Sequence, residues 1–141
     1  MNDYQFDYIF HHAAISDTRV YDQEIVMKTN VNAFIAILDK AKKDNSVLVY
    51  ASSAATYGSL SSPQTVGKEN PENPYGFSKL IMDQMANRYI TSNPSMTIVG
   101  LRFFNVYGPR ESHKGRMASV VWHLTHQYFE KKTIGLFEGT G

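Results

Sequence analysis

Cysteine is absent from the 141 residues, which excludes disulfides and thiolate metal sites. Net charge is nearly absent too: 14 Lys and Arg stand against 13 Asp and Glu, leaving +1. That balance gives no broad basic surface, so nucleic acid is not expected as a partner. No apolar run approaches the roughly 18 residues that a membrane span needs, so no membrane partner is expected either. The opening "MNDYQFDYIF" carries two acids and no basic n-region, and so does not read as a signal peptide. These features fit a cytoplasmic protein. What the chain does have is apolar bulk. With 43% hydrophobic and 13% aromatic residues, it can bury a core as one domain or part of one.

Three short apolar runs read as strands: "FDYIFHHAA" (6–14), "SVLVYASS" (46–53) and "SMTIVGLRFFNVYGP" (95–109). Between and after them lie helical stretches. The first has helical character from about Val20, with Val31, Phe34, Ile35 and Leu38 at spacings of three and four. The second runs from Tyr75 to about Ile90, behind a Ser-, Pro-, Gly- and Asn-containing loop over 59–74. The third is "MASVVWHLTHQYFEKK" (117–132). Strand–helix alternation on this scale implies right-handed crossovers and a parallel sheet. In such sheets ligands bind outside the carboxyl ends of the strands. "HHAAIS", "ASSAATYG" and "FFNVYGPR" all gather there.

The stretch "NPYGFSK" puts Tyr75 and Lys79 one helical turn apart, with Pro74 before the tyrosine. An amphipathic surface pair is the bland reading. The chemical reading is a proton-transfer pair. A phenol ordinarily titrates near 10, and a neighbouring ammonium and a positive helix end favour the phenolate. Such a pair can take a proton from an alcohol while hydride leaves the carbon, or return both. Ser53, at a strand end twenty-two residues upstream, is placed to hold the substrate oxygen.

A Ser-rich strand end, "NPYGFSK" and "LRFFNVYGP" in this order resemble the extended short-chain dehydrogenase/reductase family, the nucleotide-sugar epimerases and dehydratases, over nearly the whole chain. Within it, "YASSAATYG", "FNVYGPRESHKGRMASV" and "LFEGT" are similar to the branch that inverts C6 of an ADP-linked glycero-manno-heptose for lipopolysaccharide core synthesis. The resemblance implies an ADP-sugar as partner, NADP as cofactor (with NAD possible) and a homo-oligomer. It implies Ser53, Tyr75 and Lys79 as the catalytic triad and Lys114, the lysine of "HKG", as a second acid/base. It implies cofactor contacts from His12, Ala13, Ala14, Ile15, Ser16, Asn30, Tyr75, Lys79 and Val106. Substrate contacts would come from Ser53, Asn105, Lys114, Arg116, His123, Phe137, Glu138, Gly139 and Thr140. Arg116 departs from the branch, which carries Ser there.

Two bases suit an epimerase acting at an unactivated carbon. The C–H bond is not acidic, so inversion needs hydride removal to a ketone and return to the other face, with proton help from two directions. Dehydratases of the family carry an Asp-Glu pair after the triad hydroxyl residue; this chain has Ala54 and Ala55. A 4-epimerase of the UDP-galactose type is the second reading, though "GPRESHKG" has no obvious task in it. A non-catalytic binding module is the third; intact Ser53, Tyr75, Lys79 and Lys114 argue against it.

Other polar residues have plainer explanations. His11 and His12 end a strand and are expected to pack or hydrogen-bond there rather than hold a metal. His123 and His126 lack an accompanying carboxylate or thiolate, so a structural or substrate role is expected. Trp122, Tyr128 and Phe129 are expected in core or subunit contacts. Arg102 and Arg110 could each pair with a phosphate or an internal carboxylate. The glycine-rich phosphate loop, GxGxxG or GxxGxxG, is missing, as is any residue placed to choose NAD or NADP. The chain therefore reads as an internal fragment of an α/β, doubly wound parallel sheet. It would hold strands four to six and the catalytic half of a Rossmann-like domain over 1–141, with 133–141 as a possible start of the substrate-binding region.

Overall fold

The computed structural model describes residues 4–136. They form two compact units that divide between Phe104 and Asn105.

The first unit is a three-stranded parallel sheet in the order β1 (Tyr8–His11), β2 (Val47–Ser53), β3 (Ile98–Phe103). Its register pairs Phe10 with Val49 and Val49 with Val99. This is the α/β parallel sheet expected from the alternation. Helical segments connect the strands: α1 (Gln23–Val26), a π-helical stretch (Met27–Asn32) and α2 (Ala33–Asp44) before β2, and α3 (Pro74–Ser92) before β3.

Local chemistry sets these boundaries. The Asp22 carboxylate accepts the Ile25 amide and starts α1, a few residues later than Val20. Asn45, at φ 55°, ends α2 in the left-handed region, with Lys42 and Lys43 in the last turn. Asn73 accepts the Gly76 amide at 2.8 Å, and Pro74 occupies the first helical position of α3.

Phe34, Leu38, Leu48 and Met82 are fully buried between β2, α2 and α3. Each such side chain is worth about 1.5–3 kcal/mol on burial. The buried residues of the first helical stretch include Val26, Asn30, Val31, Phe34, Leu38 and Ala41, so three of the four spaced apolar positions face the core. The fourth, Ile35, is 40% exposed. Alternation along the strands puts the opposite sheet face outward: Tyr8, Phe10, Val99, Leu101 and Phe103 are all exposed.

The second unit contains a short 3₁₀ segment (Ser112–Met117) and α4 (Val120–Lys131). Ser119 caps α4 by accepting the Trp122 amide at 3.1 Å. No residue of α4 is fully buried.

Candidate active site

In the first unit the chemistry-bearing residues collect where β2 ends and α3 begins. Ser53, the last residue of β2, is 8% exposed and its Oγ accepts the Ala55 amide at 3.1 Å. The hydroxyl proton of Ser53 has no described acceptor. The Ala54–Thr56 3₁₀ turn that follows packs on the first turn of α3. The approach there is so close that a Cβ on Gly76 would lie 2.5 Å from the Ala55 carbonyl oxygen. Glycine beside Tyr75 thus lets the helix carrying the tyrosine abut the strand end carrying the serine.

Lys79 is 2% exposed and donates from Nζ to the Ala51 carbonyl at 2.7 Å. Its ammonium lies 5.9 Å from the centre of the Tyr75 ring. Burial lowers the Lys79 pKa to about 8, opposed by the negative charge of Asp83. One of the three N–H donors of the ammonium is committed, and no described residue bonds the Tyr75 hydroxyl. The structure therefore brings Ser53, Tyr75 and Lys79 onto one shelf with their working atoms unspent.

The loop after β1 borders this shelf through Asn30. Its side chain exchanges bonds with the backbone of Ile15, accepting at 2.8 Å and donating at 3.1 Å, and donates to Ser78 Oγ at 2.9 Å. Ser78 in turn donates to the Tyr75 carbonyl at 2.7 Å. Asn30 is 1% exposed, so its visible task is to tie the Ala13–Ser16 loop to α3. It sits in the π-helical stretch, a local distortion that often accompanies functional positions. His12, Ala13 and Ser16 are exposed; Ala14 and Ile15 are half-buried. His11 stacks on Phe34 at 5.5 Å, and burial, then the charges of Lys79 and His12, hold it below its ordinary pKa.

Beneath the shelf is a group that sequence reasoning missed. Asp83, one turn after Lys79, accepts from Tyr50 Oη at 2.8 Å, Ser52 Oγ at 3.0 Å and Arg102 Nε at 3.0 Å. Arg102 also reaches Glu69 at 2.6 Å and lies 4.7 Å from the Tyr57 ring centre. Arg102 thus pairs with internal carboxylates, joining β3, α3 and the loop before α3. Burial, reinforced by Asp83, pushes the Tyr50 hydroxyl far above its ordinary pKa. Polar residues at alternate positions of β2, Tyr50 and Ser52, were the available signal: they face the helix layer, where only a satisfied polar group is tolerated.

The second unit holds Asn105, Val106, Lys114, Arg116 and His123. Asn105, Val106, Lys114 and Arg116 are exposed in the segment before α4, and His123 is exposed on α4. Trp122 stacks on His126 at 3.8 Å and meets His123 edge-on at 5.1 Å. His126 Nδ1 lies 2.9 Å from the Trp122 carbonyl oxygen. Tyr128 and Phe129 are exposed, contrary to a place in the core. No group of three potential metal ligands occurs among the described residues. Phe137, Glu138, Gly139 and Thr140 lie outside the described residues.

Residues 1–141 match the profile of the NAD dependent epimerase/dehydratase family. The chain belongs to that family. It is 44% identical over 133 residues to the ADP-L-glycero-D-manno-heptose-6-epimerase of Alkalilimnicola ehrlichii, covering 94% of this chain and 41% of that protein. The crystal structure of Helicobacter pylori ADP-L-glycero-D-manno-heptose-6-epimerase superposes with a TM-score of 0.86 at 47% identity, over 96% of this chain and 43% of that one. UDP-glucuronic acid 4-epimerase from Bacillus cereus, in complex with NAD, superposes with a TM-score of 0.71 at 27% identity, over 95% and 43%. The chain thus spans about two fifths of the length of these relatives.

Proposed function

We propose that this chain is the catalytic half of a nucleotide-sugar epimerase that inverts C6 of an ADP-glycero-manno-heptose. Residues 1–141 would form part of a nicotinamide-binding Rossmann-like domain, with 133–141 leading into the substrate-binding region. The observation that carries the reading is the shelf of Ser53, Tyr75 and Lys79, each with an uncommitted donor or acceptor. Identity of 44–47% to heptose epimerases supports the substrate class, and NAD in a neighbour's site supports the cofactor class.

The residues fit a nicotinamide nucleotide. Lys79 keeps two N–H donors for a ribose diol, and the Ala13–Ser16 loop is held against α3 by Asn30. When bound, the nicotinamide supplies hydride acceptance at C6 and hydride return. The chain's own residues handle the proton. Tyr75, as phenolate, takes the proton of the C6 hydroxyl while Ser53 donates to the same oxygen, and the C–O bond becomes a carbonyl. Return of hydride to the other carbonyl face needs a proton delivered from a second direction, the role given to Lys114. NADP and assembly into a homo-oligomer complete the proposal.

Tyr75→Phe tests it in the protein extended by the flanking segments its relatives possess. Both half-reactions should be lost while ADP-sugar binding persists. Near-normal turnover would refute the role of Tyr75.

A further inference from the structure

The segment "GPRESHKGRMAS" (108–119) has one buried charge. Glu111 is 3% exposed although its neighbours on either side, Arg110 and Ser112, are exposed. One carboxylate oxygen accepts the Gly108 amide at 2.7 Å and the Ser119 hydroxyl at 3.1 Å; the other accepts the Ser119 amide at 2.6 Å. Ser119 simultaneously caps α4 with that hydroxyl. A single carboxylate therefore joins the two ends of a twelve-residue loop and fixes them to a helix start.

Lys114 projects from inside that loop and is tied to the same residue twice. Its amide donates to the Glu111 carbonyl at 2.9 Å, and its Nζ lies 3.7 Å from Glu111 Oε2. The lysine side chain is 44% exposed, the carboxylate 3%. The anchor is thus buried and the cation presented outward from it. Backbone conformation on both sides is unusual. Arg110 sits at φ 68° and Gly115 at φ 51°, ψ −127°, a combination open to glycine. Left-handed backbone beside the anchor persists where surrounding bonds over-determine it, and the bonds to Glu111 are among those that do so, with the Ala118 amide on the Gly115 carbonyl at 3.1 Å. The bonds from the Ser119 and Gly108 amides hold the Glu111 carboxyl below the usual carboxylate range.

We infer that Glu111 is a positioning residue for Lys114: it closes the 108–119 loop and sets where the Lys114 ammonium stands. The inference rests on the proposed acid/base role of Lys114. Glutamine cannot serve as a substitute, because its NH₂ would face an N–H or O–H donor that now meets a carboxylate oxygen.

The test is a double-mutant cycle in the full-length protein: Lys114→Ala, Glu111→Gln and the pair, with kcat, KM and the two half-reactions read separately. Glu111→Gln should lower kcat by about tenfold or more, up to the 10²–10⁴ that the acid/base help itself is worth, with KM and Tm changing far less. The loss should fall on the same half-reaction that Lys114→Ala impairs, and the pair should be no worse than Lys114→Ala. Glu111→Asp, which keeps the charge, should recover part of the rate. Should Glu111→Gln lower Tm enough to obscure the rates, Glu111→Asp with Lys114→Ala completes the cycle. Additive losses, or a defect spread over both half-reactions, would overturn the inference. If Lys114→Ala itself has no effect, the acid/base reading of Lys114 has failed, a result distinct from failure of the Glu111 link.

Discussion

The two units hold their chemistry in opposite ways. In the first, Lys79 is buried against the Ala51 carbonyl, and Asp83 and Arg102 knit β2, α3 and β3 beneath it. In the second, Lys114 is exposed and α4 has no fully buried residue; the two ends of its loop are joined through Glu111 and Ser119. A group can be placed by a packed core or by one well-satisfied carboxylate. The first method resists single changes in many places and fails badly in a few. The second concentrates the dependence on very few bonds.

Breaking the core-side network is the largest effect expected. Arg102→Ala leaves Asp83 and Glu69 without their cation, and loss of one partner from a buried pair costs about 3–5 kcal/mol. Thermal or denaturant unfolding of the chain measures it; a change under 1 kcal/mol would break the comparison. Gly76→Ala comes next. The added methyl meets the Ala55 carbonyl oxygen, and overpacking of this kind costs about 1–3 kcal/mol. The same variant should reduce turnover, because the Tyr75 helix start moves away from Ser53.

The titration of Lys79 sharpens the contrast further. Burial places its pKa at about 8, below its ordinary 10.5. The ammonium is therefore disfavoured in the folded state. That penalty is fully present below about pH 8 and is relieved as pH rises toward 10.5, so this group's contribution to stability improves over that window. Activity that needs the ammonium should move the other way, falling as pH rises through about 8. A kcat profile of the full-length protein flat to pH 10 would contradict the assignment. Smallest is Ser119→Ala, which removes a cap worth about 1 kcal/mol. Because the same hydroxyl also donates to Glu111, its effect should appear in amide exchange of α4 and the 108–119 loop, leaving the first unit unchanged.

Much of this was legible in the sequence because it is local. The three strands, the Pro74-started helix and the Tyr75–Lys79 spacing are each set by a few adjacent residues. Ser53 was placed correctly at a strand end because the apolar run of β2 stops there. The π-helical stretch at Met27–Asn32 was not, since nothing in "MKTNVN" departs from helix chemistry; Asn30's bonds to Ile15 and Ser78 come from distant chain. The same holds for Asp83 and Arg102, nineteen residues apart yet bonded. Arg102 was ambiguous until the fold supplied its carboxylates. Ile35 misled because spacing alone cannot tell a stripe's centre from its margin. Glu111 was not singled out, because its bonds to Gly108 and Ser119 appear only once the loop is folded.

Inversion by hydride removal and return would leave Tyr75 and Lys114 to handle only the oxygen-bound proton. The most direct measurement follows conversion of ADP-D-glycero-manno-heptose to its C6 epimer by proton NMR in D₂O, with the full-length protein. Inversion is expected with no deuterium at C6, because the hydride is returned and never exchanges with solvent. Deuterium appearing at C6 during inversion would mean that the carbon is deprotonated, and would contradict hydride return.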